Sequence, residues 1–242
     1  RDFCLSRGLG DVYKRQRPGP SICGMQLAGF VVGPYQTNCY VVINPDTGEG
    51  FAVDPGMGAA PQVRELFAQH HARLSAVVLT HGHLDHIRDA AELGVEVFIH
   101  PDDAFMLDAG GGLPEHSRVL FDASSMAAPD TITHLHHGET IALAGYEFTV
   151  QHAPGHSPGS VLLVADELVF SGDVLFRGSI GRTDLAYSDP EAMTESLRGP
   201  VWDLDDSLTV LPGHGPTTTM RAERATNPFL REANAERIHG GA

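Results

Sequence analysis

The stretch THGHLDHIRD, Thr80 to Asp89, sets three imidazoles and a carboxylate into six consecutive positions, directly after the apolar run LSAVVL. That run has the length and branched content of a buried strand, so the histidines are expected on the loop leaving it. Two positions apart on extended chain, His81 and His83 can converge on one ion, while Asp85 and His86 begin the next turn and can aim at a second. Neutral imidazole nitrogens suit zinc, iron or manganese. A carboxylate adds a harder ligand and offsets the charge of a dication.

Three further segments supply what such a site lacks. HAPGHSPGS puts His156 on a Pro-Gly turn after a strand, FSGDVLF puts Asp173 at a strand end, and VLPGHGP puts His214 at another. Each side chain falls where a rigid element gives way to a loop, the place from which ligands can converge on a rim. Seven ligands then divide into His81, His83 and His156 for one ion and Asp85, His86 and His214 for the other. Asp173 can bridge both. Asp54 in VDPG also ends a strand and is read either as an acceptor that orients a ligand histidine or as a turn-forming Asp before Pro.

Taken together, NCYVV, VDPG, THGHLDH, HAPGHSPGS, FSGDVLFRGSIGRTDL and LPGHG resemble the metallo-β-lactamase superfamily from Met25 to about Leu230. Within it the chain is similar to the short bacterial glyoxalase II-like branch, the hydroxyacylglutathione hydrolases. The resemblance implies an α/β (α+β) chain folded as a four-layer αββα sandwich, with two divalent ions at one edge of the paired sheets. Zinc is the first expectation, with iron or manganese as alternatives. The implied reaction is hydrolysis of a thioester of the S-lactoylglutathione type by a hydroxide bridging the ions, with Asp85 and Asp173 among the catalytic ligands. A thiol leaving group with a pKa of roughly 8.5 needs no strong general acid.

The same resemblance narrows other activities. Asp173 stands where many true β-lactamases have cysteine or serine, and His83 stands where the diiron flavoprotein relatives have glutamate, so antibiotic hydrolysis and oxygen reduction are both disfavoured. The alternatives kept are a mononuclear iron persulfide dioxygenase, using His81, His156 and Asp173, and a lactonase or phosphodiesterase on the same fold. Arg182 matches a basic position that contacts glutathione in glyoxalase II enzymes, and Arg177 lies nearby. Two residues on, those enzymes carry an aromatic side chain where this chain has Asp184, which suggests an internal Arg182–Asp184 ion pair instead. Many relatives also follow the last histidine of the first run with a glycine pair. Here Arg88-Asp89 takes that place and is expected as a variation on a helix surface, with Arg88 a weaker candidate for reaching an anionic substrate.

Composition bounds the rest. A chain of 242 residues supports one sizeable core, and 42% hydrophobic against 19% charged residues is ordinary for a soluble protein. No apolar run approaches the roughly 18 residues a membrane span requires. A formal charge of -15 argues against nucleic acid or an anionic membrane as partner and leaves a small-molecule substrate. Three cysteines without metal or redox spacing make a reducing cytoplasm the default, and the chain is expected as a monomer or homodimer. Residues 1–24 look foreign: they hold the chain's single lysine, Lys14, and two of its cysteines, Cys4 and Cys23. DVYKRQ, Asp11 to Gln16, back-translates to a sequence resembling a transposase adapter end. Residues 1–24 are therefore read as a non-native or disordered extension and residues 25–242 as one domain. The remaining histidines, among them His70, His71, His100, His134, His136, His137 and His152, are expected at solvated or structural positions, and Cys39 as a buried apolar group.

Overall fold

Short runs of alternating and β-branched residues broken by Gly and Pro dictate strands first. In the computed structural model, which describes residues 24–239, they form the expected antiparallel meander: β1 (Gln26–Val32), β2 (Thr37–Asn44) and β3 (Glu49–Val53). All of residues 1–24 except Gly24 lie outside the described residues.

Helix α1 (Ala59–Gln69) then crosses over to β4 (Arg73–Val78), which pairs parallel with β3. Val63, Leu66, Phe67 and Leu74 stand near helical spacing, which predicts a helix over Ala60 to Leu74. It stops at Gln69 because His71 takes a left-handed φ of 50° and Leu74 is drawn into the sheet opposite Gly50. Next come α2 (Leu84–Ile87), a 3-10 turn at Ala91–Leu93, β5 (Glu96–Ile99), a 3-10 helix at Pro101–Leu107, α3 (Glu115–Leu120) and β6 (Ile132–His134). The sequence also predicts helices over Asp85 to Leu93 and over DDAFMLDA; these are one α turn and 3-10 segments. The stretch from Gly110 to Pro129, expected as loop, carries α3 and a 3-10 turn at Ala123–Ser125. β6, read with the second half in sequence, pairs parallel with β5 and closes a first sheet of order β1-β2-β3-β4-β5-β6.

The second sheet uses β7 (Thr140–Leu143), β8 (Tyr146–His152), β9 (Val161–Val164) and β10 (Leu168–Gly172). After a small hairpin of β11 (Leu175–Phe176) and β12 (Ser179–Ile180) come α4 (Pro190–Arg198), β13 (Thr209–Pro212), β14 (Thr218–Thr219), α5 (Met220–Thr226), α6 (Pro228–Ala233) and α7 (Ala235–His239). Its order is β14-β13-β10-β9-β8-β7.

Alternation along single strands assembles the layers. On β2, Cys39, Val41 and Ile43 face α1, packing with Val63 and Phe67, while Tyr40 and Val42 face the other sheet. Between the sheets, Phe51 meets Phe148 edge-on at 5.4 Å, and Tyr40 lies 5.4 Å from Phe170. On the far side Leu162, Val169 and Val210 pack against Met193, Leu197 and Leu230 of α4 and α6. Covered on both faces, β2 is buried along all eight residues. The result is the αββα sandwich expected, with Cys39 fully buried. No helix among the described residues is long and apolar enough to cross a membrane.

Candidate metal centre

All seven expected ligands gather at one edge of the sandwich. The loop after β4 and the single turn of α2 bring His81, His83, Asp85 and His86; the β8–β9 loop brings His156; the end of β10 brings Asp173; the end of β13 brings His214. An isolated bridge between Thr37 and His214 ties the two sheets together at this edge.

Ligand atoms of His81, His83 and His156 all lie within 4.8 Å of one another, as do those of Asp85, His86 and His214, and those of His81, His86 and Asp173. His83 Nδ1 and His156 Nε2 are 2.9 Å apart. Asp85 Oδ2 lies 3.1 Å from His214 Nε2 and 3.4 Å from His86 Nε2. Asp173 reaches both groups, its Oδ2 being 3.4 Å from His156 Nε2 and from His214 Nε2, and its Oδ1 3.4 Å from His86 Nε2. His81 Nε2 and Asp173 Oδ1 are buried yet find no hydrogen-bond partner among the described residues.

Electrostatics split the cluster in two. Burial, followed by the imidazoles of His86 and His83, holds His81 well below the ordinary histidine value; burial and then His156 push His83 down to about 3. Both rings are therefore neutral, the state a metal ligand needs. In the other half burial works against ionisation but loses. His86 holds Asp85 and Asp173 well below the carboxylate range, His86 itself is raised by Asp85, Asp173 and Asp54, and His214 rises to about 9 on hydrogen bonds to Asp173 and Asp85. The His86 and His214 rings are the groups that face these carboxylates and favour their charge. Divalent ions would take over that role and engage the two orphaned atoms, so the donor set fits a pair of such ions.

Neighbours fix which atom each ligand presents. His156 Nδ1 donates to the Arg182 carbonyl at 2.8 Å, which turns Nε2 inward. Asp54 Oδ2 lies 3.0 Å from His86 Nδ1 and accepts from Thr80 Oγ1 at 2.7 Å, while Oδ1 accepts from Thr80 N at 2.8 Å. Asp54 thus sits at a φ of 51° with its carboxylate facing the His86 ring nitrogen. Thr37 Oγ1 donates to Asp85 Oδ2 at 2.9 Å. Asn38 Nδ2 and Tyr40 Oη donate to the Pro212 carbonyl at 2.9 and 2.8 Å, and Asn38 N donates to the Gly213 carbonyl at 2.7 Å. Thr37, Asn38 and Tyr40 thus hold the PGHG turn, a contact that the motif NCYVV does not reveal in sequence.

A second residue missed in sequence is Asp103. Fully buried, it accepts from Gly82 N at 2.7 Å, from Gly159 N at 2.6 Å and from Ser157 Oγ, joining the His81–His83 loop to the His156 loop. Close approach also explains Gly213: a Cβ there would stand 2.2 Å from Asp173 Oδ1 and 2.6 Å from His86 Cε1.

The cluster floors a cavity of about 320 Å³, whose walls include Leu113, Phe121, Phe176, Ile180 and Leu185. Arg182 lines it but is held by Asp184 through two contacts of 2.8 and 2.9 Å. Arg177 is exposed between β11 and β12 and is not among the lining residues. The expectation for Arg88-Asp89 is corrected, because both are buried. Asp89 Oδ2 accepts from Gly58 N at 2.8 Å and Ala60 N at 3.0 Å, capping α1, whose first residues offer no cap of their own. Arg88 turns away from the cavity, donating from Nε to the Phe121 carbonyl at 2.8 Å and from Nη2 to Ser125 Oγ at 2.7 Å.

His100, Asp102 and His152 also bring ligand atoms within 4.8 Å of one another. The His100 and His152 rings, however, stack at 4.1 Å and 9°, and two nearly parallel imidazoles have no common in-plane point for an ion. Their role is packing, as expected from sequence.

A sequence profile described as the metallo-beta-lactamase superfamily matches residues 32–214. The hydroxyacylglutathione hydrolase GloC of Haemophilus influenzae is 35% identical, covering 85% of this chain and 98% of its own length. The crystal structure of the BLEG-1 B3 metallo-beta-lactamase superposes with a TM-score of 0.74 at 34% identity, covering 85% of this chain and 99% of that one. The di-iron-bound form of TTHA1623 superposes with a TM-score of 0.68 at 35% identity over 84% and 99% of the two chains.

Proposed function

The chain belongs to the metallo-β-lactamase superfamily and is a metal-dependent hydrolase of that family; from that premise we propose that it hydrolyses thioesters of the S-lactoylglutathione type at two divalent ions, zinc first. His81, His83 and His156 would hold one ion, Asp85, His86 and His214 the other, and Asp173 both. Bound there, the ions supply Lewis acidity and the means to ionise water near neutral pH.

The observation that carries this reading is the adjacency of two donor groups sharing Asp173, with buried His81 Nε2 and Asp173 Oδ1 left to a ligand. The residues around them divide the remaining work. Thr37 fixes the Asp85 carboxylate, Asp54 and the Arg182 carbonyl set the outward nitrogens of His86 and His156, and the apolar walls limit bulk water at the floor. At that floor the structure offers carboxylates and imidazoles committed to one another and no free acid to protonate a leaving group. A thiolate, with a parent pKa of roughly 8.5, can leave without one. The likeness to GloC supports the glutathione thioester in particular.

Elemental analysis of protein purified without added metal, paired with turnover of S-lactoylglutathione, tests the proposal. Two ions per chain and hydrolysis are expected; fewer than two ions with no hydrolysis defeats it. Asp85→Ala should lose one ion and the activity together. A β-lactam assayed alongside checks the exclusion drawn from Asp173, since BLEG-1 is named for that activity at 34% identity.

A further inference from the structure

We propose that the cavity over the metal centre is an apolar acyl subsite, so that the preferred substrates are thioesters of uncharged hydrocarbon acyl groups in place of the small polar lactoyl group. The inference rests on the thioester reading above and specifies which thioester. Its first support is the wall. Leu113 and Phe121 come from the segment carrying α3, and Phe176, Ile180 and Leu185 come from the β11–β12 hairpin and the loop beyond it. They line about 320 Å³ beside His83, Asp85, His156, Asp173 and His214, so a group attached to the reacting carbon can enter the cavity.

The second support is charge. Arg182 is the only arginine or lysine among the described residues lining the cavity, and Asp184 holds the Nε–Nη2 edge of its guanidinium. Arg88 sits behind the wall with its donors on the Phe121 carbonyl and Ser125. An acyl group carrying a carboxylate would lose its hydration against walls that are mostly apolar. A hydrocarbon chain meets a wall that is mostly apolar, with Tyr35, His116 and Ser117 the polar side chains beside Arg182.

The wall itself is held firmly enough to select. Phe121 is 1% exposed, its carbonyl is tied by Arg88, and Tyr35 packs edge-on against its ring at 5.0 Å. A side chain so fixed presents a defined surface, whereas a mobile cover would accept many shapes.

In the reaction the carbon–sulfur bond breaks with its electron pair going to sulfur, the oxygen of water joins the acyl carbon, and a proton from that water ends on the thiolate or in solvent. No oxidant or further reactant is required.

The test uses the full chain, loaded with zinc, on thioesters of N-acetylcysteamine, an uncharged thiol. Acetyl, butyryl, hexanoyl and succinyl esters are compared with S-lactoylglutathione. From acetyl to butyryl and on to hexanoyl, kcat/KM should rise by roughly fourfold per methylene until the cavity fills, since each buried CH₂ contributes about 0.8 kcal/mol. The succinyl ester should fall at least about tenfold below butyryl, the penalty of burying an unpaired carboxylate against apolar walls. Leu185→Asn and Leu113→Asn, one from each of the two segments that form the wall, should each flatten the slope with chain length. A flat or falling series, a succinyl ester equal to butyryl, or an unchanged slope in both variants overturns the acyl subsite. Hydrolysis of none of the thioesters overturns the thioester reading beneath it, and hydrolysis of S-lactoylglutathione without a chain-length slope overturns the subsite alone.

Discussion

Replacing Asp103 by Asn should unfasten the two loops that carry three of the histidines. The wild-type carboxylate has two oxygens facing three donors: Gly82 N–H and Ser157 O–H on one side and Gly159 N–H on the other. An amide of the same size keeps one acceptor and turns a donor toward whichever N–H remains. One charge-assisted hydrogen bond is lost, at about 1.5–3 kcal/mol, and a buried backbone donor is orphaned. Burial pushes the Asp103 carboxyl above its ordinary value, so removing the charge recovers part of this cost. The net is about 2 kcal/mol for Asp103→Asn, and about 4 kcal/mol for Asp103→Ala, which orphans all three donors. Urea unfolding of the metal-free protein measures the stability loss, and competition with a chromophoric chelator measures zinc affinity. That affinity should fall 10–100-fold, as it does when groups that orient ligands are lost. An Asn variant with an unchanged urea midpoint and zinc affinity within about twofold of wild type would refute the clamp.

Asp184→Asn should release Arg182 and raise kcat/KM for S-lactoylglutathione roughly two- to fivefold, the scale of an exposed charge contact, with the gain shrinking in high salt. Gly213→Ala drives a methyl into Asp173 and His86, and chelator competition should show metal binding weakened by at least about tenfold while the far-ultraviolet circular dichroism stays as in wild type. His100 is held down to about 4, from an ordinary 6.5, by burial and then by His152. Its folded value lies below its unfolded one, so protonation favours the unfolded chain. Its contribution is complete above pH 6.5 and is lost as the pH falls toward 4. His100→Phe should flatten that acid limb by about 2 kcal/mol, allowing for the ring's partial solvent contact, and parallel urea titrations of the two proteins at several pH values would read it.

The candidate ligands were legible because they lie in local patterns: His81, His83, His156, Asp173 and His214 next to glycine where a strand gives way to a loop, and Asp85 and His86 in the run that follows. The layers were legible from alternation on strands such as β2. What escaped the sequence was whatever acts at long range. Asp103 looks like one more acid in PDDAF, Thr37 and Asn38 look like ordinary strand residues, and Arg88-Asp89 looks like a polar pair on a helix. Each takes its meaning from backbone groups 20 to 180 positions away, as with Asn38 and the Pro212 carbonyl. Helix ends failed for a related reason: the propensity of Ala60 to Leu74 was overridden where Leu74 found a partner in Gly50.

The Arg88-Asp89 pair separates two tasks the molecule must keep independent. Asp89 faces inward to the helix that backs the first sheet, while Arg88 pins the excursion of residues 110–126 at the Phe121 carbonyl and Ser125. None of the seven candidate ligands comes from that excursion. A descendant could therefore exchange the whole cover, retaining only an acceptor for the guanidinium, and acquire a new substrate with its reactive floor untouched. Two adjacent residues thus form a mounting bracket, and selectivity in this chain is a detachable part.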